Sequence, residues 1–230
     1  MEKKQIFLLH FAGGNQYSYQ FMMPFLHDFN VKAIELPGRG RRSGEKLLFD
    51  FDLAATDLYN QILENLNSQD FIIFGHSMGA KLSLRIVKML ENANKYPLGL
   101  YVSGNAGPDI GTDVKRYLLN KDEFIQELKK IGGVSVEFLE NEELFSFFEP
   151  ILRADFELSE KTSAARFQTI KTPIYAIMGS QEPYADRIEN WKNFTSSEFL
   201  YKIMEGDHFF IQNHANAIIN FIRSNLISTK

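Results

Sequence analysis

The sequence predicts an α/β fold, with a mostly parallel sheet of six or seven strands and helices on both faces. Three observations carry this. Short apolar runs, bounded by glycine, proline or polar residues, alternate with stretches of helical periodicity. Several of the runs lack polar alternation, as strands buried on both faces of a parallel sheet do. The chain has 230 residues, 44% hydrophobic and 23% charged, enough for one large domain with a full core, 1–230.

Each element follows in order. Ile6–Phe11 and Val31–Leu36 read as the first two strands. Leu58, Ile62 and Leu66 recur at steps of four and mark a helix. Phe71–Phe74 is the third strand, and the helix after it places Met78, Leu82 and Ile86 on one face, continued by Met89 and Leu90. Leu100–Ser103, Ile174–Met178 and Phe199–Met204 complete the strands. Ile218, Phe221 and Ile222 form the apolar face of a last helix, with Asn213 as its N-cap. Between about Gly107 and Lys171 the alternation stops. Leu118, Phe124, Ile125 and Leu128 are helix-like, Ile131-Gly132-Gly133 interrupts, and Glu142–Phe148 is helical again. That span is too long for one crossover, so it reads as an insertion over one edge of the sheet, a lid or a set of extra surface helices.

Composition narrows the function. A net charge of −4 and a pI near 5.8 argue against nucleic acid as a partner. The chain has no cysteine, so disulfides, thiolate metal sites and a cysteine nucleophile are excluded. The N-terminus, Met1-Glu2-Lys3-Lys4, leads into a short apolar run that soon meets Gly13-Gly14. It reads as neither a signal peptide nor a membrane span, and a cytoplasmic monomer is expected. No metal or organic cofactor is indicated. Phenylalanine is abundant, with 21 residues, most of them expected in the core.

One junction carries chemistry. Phe71–Phe74 runs into Gly75-His76-Ser77-Met78-Gly79, and an amphipathic helix follows at once. Gly-x-Ser-x-Gly at a strand-to-helix turn is the nucleophile-elbow pattern, in which a strained bend lifts the hydroxyl clear of the sheet. The five residues alone would occur by chance in roughly one chain in ten of this length. The strand before and the helix after make coincidence much less common. The bland reading is a turn with an N-capping serine. The N–H of Met78, at the helix start, is placed to meet an oxyanion. A second donor belongs in the loop after the first strand, where His10-Phe11-Ala12-Gly13-Gly14 stands, and the N–H of Ala12 is assigned.

A serine nucleophile needs a base and an orienting acid, in the chain order serine, acid, histidine for this kind of elbow. Of five histidines, His10 and His27 precede Ser77, and the side chain of His76 leaves the turn in another direction. His208, just past the strand ending at Met204, is the expected base, and His214 reads as a surface residue. Glu182, after Gly179, lies at the end of the preceding strand and is placed first as the acid. Asp109 and Asp186 remain alternatives, and Asp207 is too close in sequence to reach the ring of His208.

These residues, with "HFAGGN" at 10–15, "LPGRGRRSGE" at 36–45, "FGHSMGA" at 74–80, "PILRADFE" at 150–157 and "GDHFFI" at 206–211, resemble the type II (external, editing) thioesterases of non-ribosomal peptide and polyketide synthesis. The resemblance covers nearly the whole chain. It implies an α/β-hydrolase fold with a helical lid. It also implies hydrolysis of acyl groups held as thioesters on the phosphopantetheine arm of an acyl-carrier or peptidyl-carrier protein. Its serine and histidine fall on Ser77 and His208, and its oxyanion donors on Ala12 and Met78. The family usually has proline where His10 stands and aspartate where Glu182 stands. Arg39, Arg41 and Arg42 crowd the loop after the second strand, as a basic rim for an acidic carrier protein or as solvated and locally paired side chains. Phe124, Phe138, Phe145, Phe147 and Phe148 are expected in the core or along the acyl channel, and Arg153 and Asp155 as anchors of the lid. A carboxylesterase or lipase, an acyltransferase or cyclase, and a non-enzymatic ligand receptor are the competing readings.

Overall fold

Six apolar runs assemble into one sheet in the computed structural model, which describes residues 3–111 and 114–227. Met1 and Glu2, which open the N-terminal segment read above, lie outside the described residues. The strands are β1 (Gln5–Leu9), β2 (Asn30–Ile34), β3 (Phe71–His76), β4 (Gly99–Ser103), β5 (Ile174–Gly179) and β6 (Phe199–Met204). They lie in the order β2-β1-β3-β4-β5-β6, and every neighbouring pair is parallel. Ile6, for example, pairs with Val31 on one side and with Ile72 on the other.

The four inner strands are buried along their whole length, which is why their sequences carry no polar alternation. The edge strands β2 and β6 are partly open to solvent. Successive side chains point to opposite faces, so Phe7 and Leu9 enter one core while Ile6 and Leu8 enter the other. On the first face lie α1 (Phe51–Asn65) and α2 (Met78–Asn92), packed through Leu58, Ile62, Leu82 and Ile86. The Asp50 side chain caps α1 by accepting from the N–H groups of Asp52 and Leu53. On the second face lie a 3-10 helix, Gln20–Phe25, and α6 (Ala215–Ile227), packed through Met22, Ile218 and Ile222. The last helix begins at Ala215 rather than directly after Asn213, which instead closes a short 3-10 turn.

Between β4 and β5 the chain forms a 3-10 turn, Arg116–Leu118, then α3 (Lys121–Ile131), α4 (Val136–Glu140) and α5 (Glu142–Glu160). Phe124, Leu128, Leu139, Phe145 and Leu152 make a separate small core there. Gly132 ends α3 in a positive-φ conformation, as the interruption in the sequence suggests. Two expectations need correction. Leu118, assigned to a helical apolar face, lies in the 3-10 turn and is 70% exposed. The helix beginning at Glu142 runs on to Glu160, because Ile151, Leu152, Ala154 and Leu158 extend its buried stripe. Arg153 lies over the Phe124 ring and donates to the carbonyls of Tyr117 and Leu119, which ties the 3-10 turn to α5.

Candidate active site

The loops that leave the carboxyl ends of β1, β3, β5 and β6 converge on one cavity, the usual place for a ligand in an open parallel sheet. At its centre is Ser77, between β3 and α2, with φ 57° and ψ −115°. A non-glycine residue seldom takes this conformation, and the fold must hold it there. The two glycines of the motif allow the close approach this requires. A Cβ on Gly79 would overlap the Leu9 carbonyl oxygen, and one on Gly75 would overlap the Gly79 carbonyl oxygen. The Ser77 N–H donates to the Ser103 carbonyl at 2.8 Å, which fixes the bend to β4.

Three side chains from three loops form a relay. Ser77 Oγ–H donates to His208 Nε2 at 2.9 Å. His208 Nδ1–H donates to Glu182 Oε2 at 2.6 Å. The carboxylate can only accept, so this bond sets the tautomer and leaves Nε2 free to take a proton. Glu182 is itself held, because Gly179 N–H donates to its Oε1 at 2.9 Å. Its side chain is 3% exposed. Asp109, the first alternative acid, instead accepts from Asn190 Nδ2. Asp207 accepts from the N–H of Phe209 at 2.8 Å, and Asp186 lies in the 3-10 helix Ala185–Phe194. His214 donates its Nε2–H to the Glu205 carbonyl, away from Ser77.

The two residues expected to supply backbone donors share the cavity with this relay. Ala12 and Met78 both line the cavity, and Met78, as the first residue of α2, has no intrahelical acceptor for its N–H. In the loop after β1, Gly14 N–H is used by the Phe11 carbonyl and Gly13 N–H by Asp155 Oδ2 at 2.7 Å.

Asp155 comes from α5 and also makes a two-pronged ion pair with Arg39, at 2.5 and 2.8 Å. The two side chains are 0% and 3% exposed. Arg39 therefore stands neither on a basic rim nor in solvent: a carboxylate from a distant helix pairs with it in the interior. Arg42 pairs with Glu45 and Asp57, and of the three only Arg41 is exposed. Leu152, one turn before Asp155, packs on Gly13, whose φ is 75°. Asp155 and Leu152 together press α5 onto the loop that carries Ala12.

Two buried histidines brace the same region. His10 Nδ1–H donates to the Phe11 carbonyl at 2.8 Å, and its Nε2 accepts from Leu36 N–H at 3.2 Å. Burial, with a smaller contribution from the Arg39 charge, lowers its pKa to about 4. His76 shares a 2.6 Å hydrogen bond with Ser103 Oγ, and its ring centre lies 4.9 Å from that of His208. Burial first, and then the neighbouring His208, push its pKa well below the ordinary histidine value. A neutral ring there places no charge beside the imidazolium that His208 would become. Neither role is marked in the sequence, since Leu36 and Ser103 are distant along the chain from the rings they bond.

The cavity has a volume of about 880 Å³. Phe138, Phe148, Phe156 and Leu152 line part of it, and Lys81 and Arg116 line another part. Of the phenylalanines singled out in this segment, Phe124 and Phe145 are core, Phe138 and Phe148 reach the cavity, and Phe147 is 69% exposed. Among the described residues, no group of three or more His, Asp or Glu side chains is placed to hold a metal ion. No helix there is long and apolar enough to cross a membrane.

Comparison with known proteins supplies the family. A family model described as "Thioesterase domain" matches residues 4–226. The chain is 31% identical to the linear gramicidin dehydrogenase LgrE of Brevibacillus parabrevis, over 97% of this chain and 88% of that protein. It is 30% identical to the gramicidin S biosynthesis protein GrsT of Aneurinibacillus migulanus, over 96% and 88%. Among solved structures it is similar to YbtT, a type II thioesterase of the yersiniabactin biosynthetic pathway. That match has a TM-score of 0.89 and 28% identity, covering 99% of this chain and 94% of that one.

Proposed function

This chain belongs to the thioesterase family, with the α/β-hydrolase fold, and we propose that it edits carrier proteins. It removes acyl groups from the phosphopantetheine arm of an acyl-carrier or peptidyl-carrier protein in non-ribosomal peptide or polyketide synthesis. The observation that carries this reading is the unbroken relay from Ser77 through His208 to Glu182 at the wall of a large, partly apolar cavity.

His208 takes the Ser77 proton as Oγ attacks the thioester carbonyl. The N–H groups of Ala12 and Met78 hold the oxyanion, and each such donor contributes about 10²–10³ in rate. The carbon–sulfur bond breaks, and the thiol leaves with the proton from His208. Water, deprotonated by the same ring, then adds to the acyl-serine and releases the acid. Glu182 orients the ring and stabilises its charged form. The α3–α5 segment serves as the lid, with Phe138 and Phe148 along the acyl path. Of the basic loop, Arg41 remains to meet an acidic carrier.

The test is a panel of acyl-carrier proteins and matching small-molecule thioesters, with Ser77→Ala as the control. Hydrolysis by the native chain, its loss in Ser77→Ala, and labelling of Ser77 by a fluorophosphonate are expected. Turnover unchanged in Ser77→Ala would refute the scheme.

A further inference from the structure

We propose that Lys81 selects the acyl group, and that this cavity accepts an acyl chain bearing a carboxylate a few bonds beyond the thioester carbonyl. The inference rests on the thioesterase reading and names the substrate class of that same site.

Lys81 stands one helical turn past Ser77 on α2, and both residues line the cavity. The Lys81 ammonium makes one long hydrogen bond, 3.5 Å to the Ser159 carbonyl in the last turn of α5. Among the described residues, no carboxylate oxygen lies within 4.0 Å of it. The neighbouring cations are better served. Arg116 pairs with Glu160 at 2.9 Å and Glu127 at 3.3 Å, and Lys130 pairs with Glu127 at 2.7 Å. Lys115 reaches the Glu160 carbonyl at 2.9 Å. Desolvation lowers the pKa of Lys81, and the more distant Glu160 charge only partly offsets it.

A partly buried ammonium with one weak acceptor is costly unless something else completes its shell. The open space before it is the cavity that holds the nucleophile. Of the acids along this wall, Glu127 is paired with Arg116 and Lys130, and Glu160 with Arg116, which offsets their repulsion of a carboxylate. The aromatic wall of Phe138, Phe148 and Phe156 can carry the hydrocarbon part. The plainer role for Lys81 is to cap the carboxyl end of α5, as cations often do. A cap would affect every substrate alike, whereas a selector would not.

The experiment compares succinyl, glutaryl and butyryl thioesters of N-acetylcysteamine with the native chain, Lys81→Met and Lys81→Glu. In Lys81→Met, the preference for succinyl or glutaryl over butyryl, as a ratio of kcat/KM, is expected to fall by about tenfold or more. In Lys81→Glu the preference should turn toward a cationic β-alanyl thioester. The same factor for all thioesters overturns the inference. Calorimetry with Ser77→Ala reads binding without turnover: succinyl thioester binds more tightly than butyryl, and Lys81→Met in that background removes the difference. If thioesters are cleaved with no such selectivity, the role of Lys81 fails alone. If the binding difference holds and nothing is cleaved, the hydrolytic reading fails and Lys81 stands.

Discussion

Asp155→Asn separates stability from catalysis at the loop beside Ser77. The substitution keeps the shape of the side chain and removes its charge. The amide oxygen can still accept one N–H, but the amide NH₂ then faces the Arg39 guanidinium, donor against donor. Arg39 is 3% exposed, so its charge cannot turn to water. Removing one partner of a buried ion pair costs about 3–5 kcal/mol. In a domain of this size each kcal/mol is worth about 2–4 °C, so Tm should fall by about 10 °C. The double variant Arg39→Met, Asp155→Leu removes both charges and should recover most of that loss. It leaves Gly13 N–H without its acceptor, which unpins the loop carrying Ala12. Its kcat should stay down by up to about 10², the scale of one oxyanion donor. Calorimetric melting and a thioester assay on both variants check this. An Asp155→Asn protein that melts within about 2 °C of the native chain, or a double variant with native kcat, would refute the coupling of α5 to the oxyanion loop.

Other outcomes follow from the same geometry. Glu182→Gln removes the carboxylate charge and lets an amide NH₂ face His208 Nδ1, which favours the wrong tautomer, so kcat should drop by about 10³–10⁴, while Asp109→Asn stays near native; the reverse pattern would reassign the acid. The pKa of His10 is lowered to about 4 in the folded chain, so its contribution to stability is complete above the unfolded value near 6.5. That contribution is lost as pH falls between the two values, about 3 kcal/mol in all. His76, lowered in the same direction, adds to the loss. His10→Gln should therefore show a flatter decline of stability from pH 6.5 to pH 4 in denaturant titrations, and an unchanged slope would remove His10 as a source. Gly79→Ala would force a methyl into the Leu9 carbonyl and should destabilise by about 3 kcal/mol or more, read as a lowered Tm with lost activity; native behaviour would show that the close contact is dispensable.

Much of this arrangement was legible because it is local or periodic. The inner strands show as unbroken apolar runs, since both of their faces are covered. The elbow shows because a strained serine needs small neighbours within two residues. Glu182 and His208 could be located by chain order, each just past a strand. Burial of polar groups was not legible. Arg39 and Asp155 lie 116 positions apart, and nothing in the loop of the one or the helix of the other says that they will meet. His10 and His76 have the same character, because their partners are Leu36, just past β2, and Ser103, at the end of β4. The 3-10 helix Ala185–Phe194 also escaped the pattern, although Trp191 anchors it by donating to the Asn105 carbonyl. Its apolar residues Ala185, Ile188, Trp191 and Phe194 recur at every third position, the 3-10 period, which a search for steps of four passes over.

The placement of the proposed proton acceptor has a consequence for how the enzyme fails. Ser77 follows a strand in the interior of the sheet, while His208 follows β6, which has a neighbour on one side only and lies largely in solvent. Fraying at that margin would pull the base from the nucleophile while the centre stays intact. Inactivation under mild stress would then precede melting, and would reverse as readily as the border strand docks again.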